Sequence, residues 1–263
     1  MWSREVTVAL LLTCASTLGW PQGTAAGEFS GAMRGRAPDV ASEASAQDAE
    51  KLAPRALARQ ALAFTVHVRA GLAYGTGALL DAHGHVLTCR HVIEDAKQIT
   101  VAFADGAVFD ARLVDSDEEL DIALLSIGST RRPVLTPATI GSVETGDELF
   151  TLGAPRNMPF SLSRGMASYV GRPFGRTFYL QTDLPFNAGN SGGPVLNDRG
   201  EVVAIASFVL RNSEGIAFAL PIDYAYRRFA RALVAPKDLV AGDTFERWLA
   251  APERSGDRAA ERH

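Results

Sequence analysis

From Ala63 onward the apolar residues come in short runs, many alternating with polar ones, and the runs are closed by Gly, Asp or Asn. "AFTVHVRA" and the start of "QITVAFADGAVFDARLVD" alternate with a period of two, which is the pattern of strands with one face buried, and "TFYLQTD" is a short run of similar length. "DIALLSI" is continuously apolar and reads as a central strand. "AHGH", "ADGA" and "NDRG" carry the small and polar residues of hairpin turns. About ten to twelve strands at this spacing predict an all-β barrel or sandwich. Helical patterns do not alternate with them, which argues against a doubly wound α/β sheet.

Helical periodicity is confined to the flanks. "LARQALAF" is weakly helical and leads into the first strand. Near the C-terminus, Tyr226, Phe229, Ala230 and Leu233 recur at i, i+3, i+4 and i+7, with Arg227, Arg228 and Arg231 opposite. Asp223 is placed to cap this helix and Pro236 to end it. A second short helix is expected from Asp243, with Glu246 in the capping-box position, followed by a disordered tail after Pro252.

The first 26 residues read as a secretory signal peptide: Arg4, an apolar run from Val6 to Leu12, then Thr24-Ala25-Ala26 as a small-x-small cleavage site. Residues 27–55, rich in Gly, Ala, Ser and charge, read as a flexible linker. Residues 56–236 form the expected folded domain, and 237–263 the short helix and tail. No later run approaches the roughly 20 apolar residues of a membrane span, so a periplasmic or secreted protein without an integral span is expected. Of the two cysteines, Cys14 and Cys89, only the second would survive cleavage, which leaves no internal disulfide. A formal net charge of −4 argues against a nucleic-acid binder driven by a basic face.

Candidate chemistry centres on "FNAGNSGGPV", Phe186 to Val195, where Gly189, Gly192 and Gly193 surround Ser191. Glycine is retained where a backbone must turn sharply or approach something closely. A serine hydroxyl becomes a nucleophile when a base takes its proton. Among the histidines, His263 is on the frayed end, His83 and His85 lie in a turn, and His67 is within an alternating strand. His91 stands where a strand ends, after "HVLTC", held and exposed at once. Asp121 heads "DIALL" at the border of the core, where a carboxylate needs a partner. Asp115, Asp117, Glu118 and Glu119 lie in a polar run and read as solvated.

The blocks "GTGALLDAHGHVLTCRHVI", "DSDEELDIALLSI", "QTDLPFNAGNSGGPVLNDRGEVVAI" and "GIAFALPID" resemble the trypsin-like serine proteases, most closely the HtrA/Deg branch of bacterial envelope quality-control proteases. The resemblance covers about Ala63 to Ala235. It implies two six-stranded antiparallel β-barrels with a C-terminal helix and an active site between the barrels. It implies His91 as general base, Asp121 as its orienting carboxylate, Ser191 as nucleophile, and the N–H groups of Gly189 and Ser191 as the oxyanion hole. Substrates would be unfolded or extended polypeptides, with no organic cofactor and no metal, and a homo-oligomer stays open. Pro185, Phe186, Ala206, Ser207, Phe208 and Ala217 are expected around the side chain that precedes the cleaved bond.

The departures shape what is carried over. Residues 236–263 are fewer than a PDZ domain needs, so recognition through such a domain is not expected. Asn190 stands where digestive enzymes pair an aspartate with a freshly cut N-terminus, so activation by such a cut is not expected either. The rival to an enzyme is a proteolytically inactive binding or chaperone-like module on the same fold. A metal site on His83, His85 and His91 is disfavoured, since only Cys89 stands near enough in sequence to complete it.

Overall fold

The structure, a computed structural model, describes residues 51–154, 160–210, 215–236 and 239. The expected signal peptide, most of the linker and the helix at Asp243 lie outside them. Twelve strands form two closed antiparallel barrels. The first contains β1 (Thr65–Ala70), β2 (Ala73–Leu79), β3 (His85–Cys89), β4 (Ile99–Phe103), β5 (Val108–Asp117) and β6 (Ile122–Ser126), in the order β1-β2-β3-β6-β5-β4. The second contains β7 (Glu148–Gly153), β8 (Ser161–Phe174), β9 (Thr177–Thr182), β10 (Pro194–Leu196), β11 (Val202–Val209) and β12 (Ala217–Pro221), in the order β10-β11-β12-β9-β8-β7. Closure removes the unpaired edges that a flat sheet of this size would expose. The three expected turns join β2 to β3, β4 to β5 and β10 to β11.

Strand periodicity builds two cores. In β4, Ile99, Val101 and Phe103 point inward while Thr100 and Ala102 are half-exposed. The second barrel is buried on both faces of several strands. Leu149 joins the cluster inside that barrel, whereas its neighbour Phe150 joins the cluster shared with the first barrel. Ala204 and Ile205 divide in the same way, as do Ala219 and Leu220. Alternate side chains of a strand face opposite ways, so one strand feeds both cores and its sequence reads as continuously apolar.

Helix α1 (Pro54–Phe64) opens with Pro54, whose missing N–H costs nothing in a first turn. Leu57, Ala61 and Phe64 form its buried stripe. It starts two residues ahead of the expected domain start at 56, and the chain before it is already anchored. The Leu52 N–H donates to the Asp198 carbonyl at 2.8 Å.

The C-terminal helix α3 spans Ile222–Arg228, shorter than its periodicity predicts, and Asp223 does not cap it. The N-cap is Pro221. Asp223 is buried in the first turn, where its carboxylate accepts from the Thr139 hydroxyl at 2.8 Å and the Ile140 N–H at 3.0 Å. Burial pushes its pKa up, against the pull of those bonds. Nor are Asp115 and Asp117 merely solvated. The Arg228 guanidinium donates to Asp117 at 2.6 Å and to Asp115 at 2.7 Å, tying α3 to β5.

Candidate active site

Strand register brings His91 and Asp121 together. Strands β3 and β6 pair antiparallel with Cys89 opposite Ile122. The residue before β6 therefore meets the turn that follows β3. That turn is the four-residue helix α2 (Arg90–Ile93). The Arg90 N–H donates to the Asp121 carbonyl at 3.0 Å, extending the ladder by one rung. Asp121 then adopts a left-handed conformation, φ 52°, which aspartate tolerates better than most residues. Its carboxylate accepts from the His91 backbone N–H at 2.9 Å and lies 2.5 Å from His91 Nδ1. One carboxylate thus fixes both the backbone and the ring of His91. The hydrogen bond to Asp121 raises the His91 pKa, against burial, and the charges of Asp121 and Glu94 add to the rise.

Ser191 lies on the loop that enters β10 and is half-buried. Its carbonyl accepts from the Thr76 N–H at 2.9 Å. Gly192, at φ +81°, stands where the loop has no room for a side chain. A Cβ there would come within 2.3 Å of the Thr76 carbonyl oxygen and 2.8 Å of the Cys89 nitrogen. The loop is therefore pressed against the strand end that leads to His91. Asn187 to Asn190 form a turn closed by the Asn190 N–H donating to the Asn187 carbonyl at 2.9 Å. With Gly189 at φ +101° in its third position, the turn is of type II. Among the described residues, the N–H groups of Gly189 and Ser191 donate to no protein acceptor.

The other expected residues spread around this loop. Ala206 is buried and supports it through the backbone: its carbonyl accepts from the Gly192 N–H, and its N–H donates to the Gly193 carbonyl, both at 2.8 Å. Pro185 is exposed, and its carbonyl accepts from the side-chain amides of Asn187 and Asn190. Phe186 is half-buried against the core of the second barrel. Ser207 and Ala217 are buried. Phe208 stacks on Phe218, with ring centroids 5.0 Å apart, and meets Phe174 and Tyr179 edge-on. Residues 155–159 lie outside the described residues.

Two histidines lie away from Asp121. His85 Nδ1 lies 2.8 Å from Asp81 in the β2–β3 turn, and His67 is half-buried on β1. Cys89, His91 and Asp121 present ligand-type atoms within 4.8 Å of one another. Those atoms are already engaged. The Asp121 carboxylate is bound to the His91 ring, and the Cys89 thiol donates to the Ala206 carbonyl at 3.4 Å. Burial pushes the Cys89 pKa well up, which keeps it a thiol. Cys89→Ser should retain most of the activity, measured as peptide hydrolysis. Inactivation of the native chain by mild oxidation, with Cys89→Ser spared, would contradict a structural role. Sequence reasoning passed over Thr76, which binds both Gly189 and Ser191. The available signal was a lone hydroxyl between two glycines in "YGTGALL".

The model of the trypsin-like peptidase domain matches residues 75–205. The chain is 40% identical over 162 residues to the serine endoprotease DegS of Escherichia coli K12, covering 57% of this chain and 46% of the relative. It is 38% identical over 157 residues to a probable periplasmic serine endoprotease, DegP-like, of Pseudomonas fluorescens, covering 57% of this chain and 33% of the relative. The chain thus spans about half the length of the first of these and a third of the second. A solved serine endoprotease from Yersinia pestis superposes with a TM-score of 0.63 at 33% identity, covering 68% of this chain and 66% of that one.

Proposed function

We propose that this chain, which belongs to the HtrA/Deg branch of the trypsin-like serine peptidases, is an endopeptidase acting on unfolded or extended polypeptide. The observation that carries the reading is the double grip of Asp121 on His91, beside a glycine-walled loop that carries Ser191. With Nδ1–H donating a hydrogen bond to Asp121, Nε2 of neutral His91 is left with a lone pair to take the Ser191 hydroxyl proton. The Ser191 oxygen attacks the substrate carbonyl, and the resulting oxyanion is received by the Gly189 and Ser191 N–H groups. His91 returns the proton to the departing amine. Water, deprotonated by the same imidazole, then releases the acyl group. Each oxyanion donor is worth about 3–4 kcal/mol in such a reaction.

We also infer a periplasmic or secreted site of action, in envelope protein quality control; the name of the Pseudomonas fluorescens relative carries the word periplasmic. Among the described residues no helix is long and apolar enough to cross a membrane.

The substrate pocket is expected to be apolar. Leu184 to Gly189, Ile205 to Val209 and Gly215 to Ala219 contain no acid that could pair with a substrate Lys or Arg. An ammonium buried there would stay unpaired at a cost of several kcal/mol, whereas an aliphatic side chain gains about 0.8 kcal/mol per buried CH₂. Casein should therefore be cut after Val, Ala, Ile or Leu. Mass spectrometry of the fragments tests this, and a majority of cuts after Lys or Arg would refute it.

The pH dependence follows from the raised His91 pKa. Catalysis needs the neutral ring, so kcat/KM should fall as the pH drops through a value above the usual ~6.5 of histidine. The stabilising contribution has the opposite sign. The charged His91–Asp121 pair contributes fully below the unfolded histidine pKa and is lost as the pH rises through the folded one. A rate profile flat from pH 5 to 9 would exclude His91 as the base.

A further inference from the structure

We propose that Thr76 is a positioning residue for the oxyanion site, a role that rests on the peptidase reading above. Thr76 is fully buried on β2, in the barrel that also carries His91 and Asp121. Its polar groups nevertheless serve the loop of the second barrel. Its hydroxyl donates to the Gly189 carbonyl at 2.6 Å and accepts from the Ala154 N–H at 3.1 Å. Its N–H donates to the Ser191 carbonyl at 2.9 Å. Its carbonyl accepts from the Thr88 hydroxyl at 2.7 Å, which braces it from β3.

One residue therefore grips both members of the oxyanion pair. The Gly189–Asn190 peptide is held at each of its polar groups, by Thr76 on the carbonyl and by the Asn187 carbonyl on the N–H. With that plane fixed, the positive φ of Gly189 sets where its own N–H points. The two common turns of this kind differ by a flip of the central peptide, here Ala188–Gly189, and a type I turn would need negative φ at Gly189. The Thr76 hydroxyl holds the side of the turn that such a flip would disturb. It also links this turn to Ala154, at the start of the loop that follows β7. Removing the hydroxyl leaves the Gly189 carbonyl and the Ala154 N–H without this partner in a buried place, which favours rearrangement of the turn.

The test compares Thr76→Val and Thr76→Ser with the native chain, using a peptide substrate with an aliphatic residue before the cleaved bond. Thr76→Val keeps the branched shape without the hydroxyl. Its kcat should fall roughly 10- to 100-fold through misplacement of an oxyanion donor, with KM changed by less than about twofold. Thr76→Ser, which keeps the hydroxyl, should restore most of kcat. Affinity for a peptide boronate, which forms a tetrahedral adduct on the serine, should fall in Thr76→Val in proportion to kcat/KM. Affinity for the cleaved product peptide should not change. Native kcat in Thr76→Val, or a loss seen only in KM, would overturn the proposal. So would a Thr76→Ser enzyme without native-like kcat, an outcome that decides the matter even if Thr76→Val does not fold. If the native chain neither hydrolyses the peptide nor reacts with a fluorophosphonate, the peptidase reading itself fails, and this proposal with it.

Discussion

Ser191→Ala should abolish casein hydrolysis while leaving the melting temperature nearly unchanged. The backbone of residue 191 holds the loop in place: its carbonyl accepts from the Thr76 N–H, and its neighbours Gly192 and Gly193 are bonded to Ala206 and Asn190. None of these bonds uses the hydroxyl, so alanine fits the same conformation. The loss falls on chemistry alone. Removing the nucleophile of a serine triad costs about 10⁶ in kcat, roughly what removing all three members costs, because they act as a unit. His91→Ala should fall to the same floor. Native-rate hydrolysis by Ser191→Ala would place the reaction elsewhere in the molecule.

Asp121→Asn should slow hydrolysis by about 10⁴ with the fold intact. The Asn carbonyl oxygen can still accept the His91 backbone N–H, so the turn after β3 keeps its anchor. The amide NH₂ then faces Nδ1 and favours the tautomer with its proton on Nε2, where Ser191 needs a lone pair. The variant also loses the bond that does most to raise the His91 pKa, so the acid limb of its residual activity should move to lower pH. Activity within tenfold of native, on an unshifted profile, would show that Asp121 does not orient the base.

What could be read in the chain beforehand was mostly local. "AHGH", "ADGA" and "NDRG" announce hairpins because turn chemistry is written in adjacent residues, and all three form. The strand ends at His91 and Asp121 were legible for the same reason. Their meeting was not, because 30 residues separate them and only the β3–β6 register closes the gap. Asp223 reads as a cap from its neighbours alone, but its partners, Thr139 and Ile140, lie more than 80 residues away. Arg228 reads as a solvent-facing residue for the same reason, until β5 brings Asp115 and Asp117 to it. In the second barrel, Leu149 and Phe150 look alike in sequence yet fill different cores, a division set by barrel closure and not by residue type. Thr76 is the sharpest case. The threonine between two glycines in "YGTGALL" is visible, but not that its hydroxyl reaches Gly189, 113 residues away.

The central claim is that His91 activates Ser191, and labelling with a fluorophosphonate followed by peptide mapping tests it most directly. The native chain should carry a single adduct, on Ser191. Ser191→Ala should carry none, and His91→Ala should react far more slowly. No adduct on Ser191 in native protein that hydrolyses casein, or labelling as fast in His91→Ala as in the native chain, would contradict it.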